Sequence, residues 1–221
     1  ELNAVSSRVM AMGGHAEVQI RQAIFALAQF SREAADEVIK IEGEVNGLEM
    51  EIDRELASII ARRQPTARDL RLLMAISKTT ANLERVGDEA TKMARMVKSI
   101  IDSGTARTLP TSDLRVAGEL ASGLLRKTLD AFARLDTNAA LAILKEDDLL
   151  DAEFDGFVRK LVTYMMEDPR TISQSLSLLF LAKAIERIGD HAKNIAEMII
   201  YIVKGEDVRH TAMSDIESAI G

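Results

Sequence analysis

The sequence contains no cysteine and no tryptophan, only three prolines, and just 4% aromatic residues in 221 positions. Without cysteine there are no disulfides, no thiolate-bound metal and no cysteine nucleophile, which fits a reducing compartment. Few prolines and aromatics beside abundant Ala, Leu, Ile, Met, Glu, Lys and Arg point to helices almost throughout. Apolar runs are short as well. MIIYIV at 198–203 falls far below the roughly 18–20 residues of a spanning helix, so no direct membrane insertion is expected. Basic charge is the minority: 28 Lys and Arg face 35 Asp and Glu, a formal −7. Nucleic acid and an anionic leaflet would repel such a chain, and any contact with a membrane is expected to run through a protein partner. The chain opens on Glu1 rather than Met, which leaves an upstream segment, targeting or otherwise, open.

What is present is helical periodicity. Ile185, Ile188, Ala192, Ile195, Ile199 and Ile202 recur at steps of 3, 4, 3, 4 and 3, the stripe of a helix packed on others. Punctuation predicts six helices, over 1–31, 34–63, 66–102, 111–135, 137–167 and 170–204. QPTARD and DPRTISQ each place Pro before a Thr that is followed three residues on by Asp or Gln, a capping-box signal. The one long Gly/Pro/Ser/Thr-rich break, DSGTARTLPTSD at 102–113, divides the chain into halves 1–104 and 110–221.

The halves repeat. At an offset of 102, seven of the sixteen positions in 82–97 match 184–199, including Glu84/Glu186, Arg85/Arg187, Gly87/Gly189 and Asp88/Asp190. The fold expected is all-α, two tandem three-helix bundles related by a pseudo-twofold axis.

Duplication alone does not explain the acids. Residues four apart share a helix face, so Glu84 stands over Asp88 and Glu186 over Asp190. In the middle helix of each half the same offset pairs Asn46, Glu49 and Asp53 with Asp148, Asp151 and Asp155, a second row of hard oxygen donors. On a helical wheel with Ile185 at zero, the apolar stripe centres near about −40°, while Glu186 and Asp190 fall at about 100° and 140°. The carboxylates are therefore expected at the surface, away from acid–base chemistry in a buried pocket. A cation between adjacent helices would turn their repulsion into ligation, and oxygen donors suit Mg, Mn, Ca or Fe. The competing reading is a solvated acidic face neutralised by Lys183 beside Glu186 and Lys92 beside Asp88. The mid-helix Gly87 and Gly189 allow a close approach by another helix or a ligand at a cost of about 1 kcal/mol against Ala.

Other chemistry finds no support. A ferritin-like di-iron centre needs Glu-x-x-His, which no histidine here offers, and His191 is expected at the surface. GELASGLL at 118–125 has Leu124 where a phosphate loop needs Lys. The basic turn ARRQPTARDLR at 61–71 is either a solvated connection or a docking point for an acidic partner.

Several stretches carry a resemblance: IIARRQPTARDLRLLMAISKTTANLERVGDEA, MEDPRTISQSL and IERIGDHAKNIAEMIIYIVKGEDVRH. These resemble the PhoU family of bacterial phosphate-transport accessory proteins, over nearly the whole chain. The resemblance implies two three-helix bundles and metal sites at Glu/Asp-xxx-Asp motifs, which fall here on Glu49-xxx-Asp53, Glu84-xxx-Asp88, Asp151-xxx-Asp155 and Glu186-xxx-Asp190. Asp148 is placed in the C-terminal site, and Asn46 at the matching position predicts a weaker N-terminal one. The ion this implies would be a divalent or trivalent metal, with Mg, Mn, Fe and Zn not distinguished. The resemblance further implies a cytoplasmic, non-enzymatic negative regulator, held at the inner membrane through the phosphate ABC transporter ATPase and a phosphate sensor histidine kinase. A homodimer is expected. The alternative is a metal store or metal-dependent enzyme built on carboxylate helices.

Overall fold

In the computed structural model, which describes residues 2–104 and 111–220, seven α-helices account for most of the chain. They are α1 (Leu2–Gln29), α2 (Arg32–Arg63), α3 (Ala67–Asp102), α4 (Ser112–Arg134), α5 (Thr137–Glu167), α6 (Ile172–Lys204) and α7 (Met213–Ile220). The first six lie within two residues of their expected limits. The short α7 had no periodic signal long enough to announce it. The centre of the Gly/Pro/Ser/Thr-rich break, 105–110, lies outside the described residues.

Helix ends follow local chemistry. Ser31 caps α2 by accepting from the Ala34 amide, and Asp136 caps α5 by accepting from the Ala139 amide. Each satisfies a donor that would otherwise lack a partner. The two expected capping boxes do not form as written. Thr66 is the N-cap of α3 without a side-chain bond, and the Thr171 hydroxyl donates back to the Asp168 carbonyl at 2.7 Å. Proline explains the second case: Pro169 opens a 3-10 turn over 169–171, capped by Asp168, before α6 starts. Gly205 ends α6 with φ +81, and a β-carbon there would also lie 3.4 Å from Arg71 Cζ.

The short connections at 30–31 and 64–66 fold α1, α2 and α3 against one another, and those at 135–136 and 168–171 do the same for α4, α5 and α6. Two further contacts join these groups, α3 on α6 and α1 on α4, with α3–α6 the broadest contact in the chain. At the α1–α4 contact glycine permits close approach: a β-carbon on Gly13 would lie 2.4 Å from Leu129 Cδ2, and one on Gly118 would lie 2.8 Å from Ile24 Cγ1. Buried apolar residues of both groups merge into one cluster, from Val5 and Ile20 to Ile188 and Ile202. Helix α6 is thus covered by α3, α4 and α5, and that coverage decides the environment of its acids.

Candidate functional site

The α3–α6 seam is antiparallel, since Asn82 meets Asn194 while Glu89 meets Arg187. A cleft of about 970 Å³ runs along it, lined among others by Glu84, Asp88, Asp190, His191, Lys193 and Arg209. Glu84 and Asp88 of α3 and Asp190 of α6 therefore open to one space.

The surface expectation for the α6 acids is corrected here. The Glu186 side chain is only 13% exposed, and Asp190 is half-buried. The wheel placed them correctly relative to the Ile stripe, but α5 covers that flank. Burial, followed by the neighbouring charges of Glu186, Asp147 and Asp151, pushes the Asp190 carboxyl up to about 6. Lys183 opposes the rise; its ammonium lies 2.6 Å from Glu186 Oε2 and 5.2 Å from the centre of the Phe154 ring.

Asp147 is the acid that the repeat alignment missed. One carboxylate oxygen each from Asp147, Asp151 and Asp190 lie within 4.8 Å of one another. The Asp147 side chain is 1% exposed, its Oδ1 has no hydrogen-bond partner, and Lys193 Nζ stands 3.0 Å from Oδ2. Burial raises its carboxyl above the usual range in spite of that ammonium. Asp148, chosen from the alignment, is exposed and outside the cluster, as is Asp155. The reason is geometric: Asp147 falls in the buried stripe Ala140, Ile143, Leu144, Asp147, Leu150, whereas Asp148 is turned about 100° away. The signal was in the sequence, because Asp147-xxx-Asp151 has the spacing of Glu186-xxx-Asp190.

The N-terminal half brings a comparable set together. Burial, then Asp53 and Asp88, raise the Glu49 carboxyl. Burial, then Asp88 and Glu49, raise that of Glu84. These four acids share one electrostatic neighbourhood, with Asp53 the exposed member. Among the described residues none of them has an ion-pair partner. Lys92, expected beside Asp88, lies instead 2.8 Å from Glu89 Oε1. Three to four carboxyls on two adjacent helices, two of them in each half held above their normal range, are a hard-cation donor set. That the buried Asp147 Oδ1 lacks a partner fits the same chemistry.

His191, expected at the surface, is half-buried in the seam. Its Nδ1 lies 3.1 Å from Asn82 Oδ1, which also accepts from Asn194 Nδ2 at 3.1 Å, while Asn82 Nδ2 donates to the Lys78 carbonyl at 2.8 Å. That last bond fixes the amide orientation, so His191 carries its proton on Nδ1. Burial holds the imidazole neutral, down to about 4.

Two copies of the PhoU domain model match the chain, at 9–97 and 114–199. The chain belongs to the PhoU family. Each copy spans one three-helix group, as the internal repeat requires. Curated PhoU relatives match it end to end: the phosphate-specific transport system accessory protein PhoU of Escherichia coli (strain K12) is 44% identical over 100% of this chain and 90% of its own. The PhoU homolog of Pseudomonas putida is 43% identical over 100% of this chain and 86% of its own. The crystal structure of PhoU from Pseudomonas aeruginosa superposes with a TM-score of 0.86 at 42% identity, covering 93% of this chain and 98% of that one. The all-α PhoU architecture accounts for the duplicated Glu-Arg-x-Gly-Asp motif. No helix among the described residues is long and apolar enough to cross a membrane.

Proposed function

We propose that this chain is an accessory protein of phosphate-specific transport and acts as a negative regulator on the cytoplasmic side of the inner membrane. It would link the phosphate ABC transporter ATPase to a phosphate sensor histidine kinase and hold phosphate-responsive genes off when phosphate is plentiful. The observation that carries this reading is end-to-end similarity, at 43–44% identity, to proteins named as phosphate-specific transport system accessory proteins. The proposed mode of action is docking, without turnover, by a homodimer. The carboxylate rows would serve as metal sites: Glu49, Asp53, Glu84 and Asp88 in one half, and Asp147, Asp151, Glu186 and Asp190 in the other. A bound cation would supply charge neutralisation there. The chain's own residues set its location, between α2 and α3 and between α5 and α6, next to the seam cleft.

The test is a pull-down with tagged protein from membranes of phosphate-replete cells. Recovery of the transporter ATPase and a histidine kinase is expected, together with expression of phosphate genes in rich phosphate when the gene is deleted. Recovery of neither partner, with normal repression after deletion, would overturn the reading.

A further inference from the structure

The two halves differ at a buried point beside the acidic rows. At the offset of 102, Asp147 corresponds to Val45, and Lys193 corresponds to Thr91. Both N-terminal residues are buried, and neither carries charge. The C-terminal half therefore carries an acid and an ammonium where the N-terminal half has neither. The acid is almost wholly buried, with Oδ1 lacking any partner, and one of its two oxygens lies within 4.8 Å of carboxylate oxygens of Asp151 and Asp190. The ammonium comes from a side chain that is 35% exposed and lines the seam cleft, so it can leave for water, whereas the carboxylate cannot. A buried carboxylate requires a counter-charge, and a flexible lysine supplies one without closing the site.

We infer that Lys193 is a resident counter-ion of the Asp147–Asp151–Asp190 cluster, which a divalent cation must displace from Asp147 in order to bind. Resting on the metal reading above, this makes the halves unequal. The N-terminal acids Glu49, Glu84 and Asp88 have no ammonium of their own among the described residues, while the C-terminal site fills against a competitor. It also gives the seam a readable change on filling: the freed Lys193 ammonium adds a positive charge to the cleft that holds Arg85, Arg187 and Arg209. Lys193 is in this sense a residue that sets affinity, not a ligand.

The experiment titrates Mn2+ by calorimetry into the full chain with the N-terminal row silenced by Glu84→Gln and Asp88→Asn. Lys193→Met and Lys193→Arg are compared with Lys193. Removing the competitor should tighten the remaining site about tenfold or more, while Lys193→Arg, which keeps the charge, should stay close to the parent. Acetylation of Lys193 in the unsubstituted protein, followed by mass spectrometry, provides a second reading should Lys193→Met not fold. Mn2+ should accelerate it. Unchanged or weaker binding by Lys193→Met, or acetylation of Lys193 that Mn2+ leaves unchanged or slows, overturns the counter-ion role while the metal reading stands. Absence of Mn2+ binding in every variant overturns both.

Discussion

Gln19 and Asp147 bring a buried side-chain oxygen to the two equivalent mid-helix glycines from different helices. A β-carbon on Gly87 would lie 2.7 Å from Gln19 Oε1, and one on Gly189 would lie 3.0 Å from Asp147 Oδ1. Gln19 comes from α1 and Asp147 from α5; at the repeat offset their counterparts are Ala121 and Val45. The polar group has changed helix between the halves while the gap left by glycine is kept. Gly189→Ala should be the costlier substitution, since its β-carbon would also come 2.3 Å from Leu150 Cδ2 in the packed core. A loss of about 1–3 kcal/mol is expected, more than the helix-propensity gain of about 1 kcal/mol. Urea unfolding of Gly87→Ala and Gly189→Ala measures the difference, and a stabilised Gly189→Ala would contradict the packing described.

Asp147 is a liability to the fold in the absence of a cation. Asp147→Val gives the C-terminal half the residue of its N-terminal counterpart, and because Lys193 is 35% exposed its ammonium can turn to water, so the loss of the buried charge should be neutral or stabilising. Thermal unfolding in a chelator should show the variant at least as stable as the parent, with Mn2+ no longer adding stability through the C-terminal site. A loss of several degrees in chelator would mean that the Asp147–Lys193 pair holds the helices together.

Asp190 predicts a pH dependence. Its folded carboxyl lies at about 6 against an ordinary value of 3.8, so between those values the folded chain holds a proton that the unfolded chain has released. Stability from this group consequently falls as pH rises from about 4 to about 6, and stays reduced above that. In metal-free protein, the stability difference between Asp190→Asn and the parent should grow in favour of the variant across that window. His191 slopes the other way: held neutral down to about 4, it costs stability as pH falls below 6.5. Measuring each variant against the parent separates the two. A pH-independent difference for Asp190→Asn would show that its carboxyl is not held up.

The basic turn gives a docking prediction. Arg63 and Arg68 are exposed, whereas Arg71 is half-buried, with its guanidinium against Gly205, so it belongs to the packing of the C-terminal segment. Arg63→Glu with Arg68→Glu should change stability by no more than about 0.5 kcal/mol each. Weaker capture of the transporter ATPase or the kinase at unchanged circular dichroism is expected. Full capture would exclude this face.

How much of this was legible in the sequence depended on whether a feature is local or shared between helices. The start of α5 at Thr137 was legible because Asp136 acts on its own helix, whereas Ser31, the cap of α2, falls inside the first predicted helix. The pairing of Glu186 with Lys183 could be read because three residues make one turn. The burial of Glu186 and Asp190 could not, since it depends on α5 lying across a flank that the Ile stripe leaves unmarked. Nor did the repeat identify Asp147, because alignment carries over position while the buried polar role had moved from α1 to α5. His191 looked like a surface residue for a similar reason: its acceptor, Asn82, is 109 positions away.

Asn82 has a last consequence for the way the halves are held. Apolar helix faces tolerate sliding, since one alanine or isoleucine replaces another against the same neighbour. The Asn82 oxygen does not: it takes its two donors from His191 and Asn194, and its own amide is tied to the Lys78 carbonyl. A slip of one turn, about 5.4 Å, would strand all three partly buried groups at once. Its repeat counterpart is Ala184, which has no side-chain hydrogen bond to give, so the lock is not repeated there. The lengthwise alignment of α3 on α6 is keyed at this notch, and with it the spacing between the two acidic rows along the cleft.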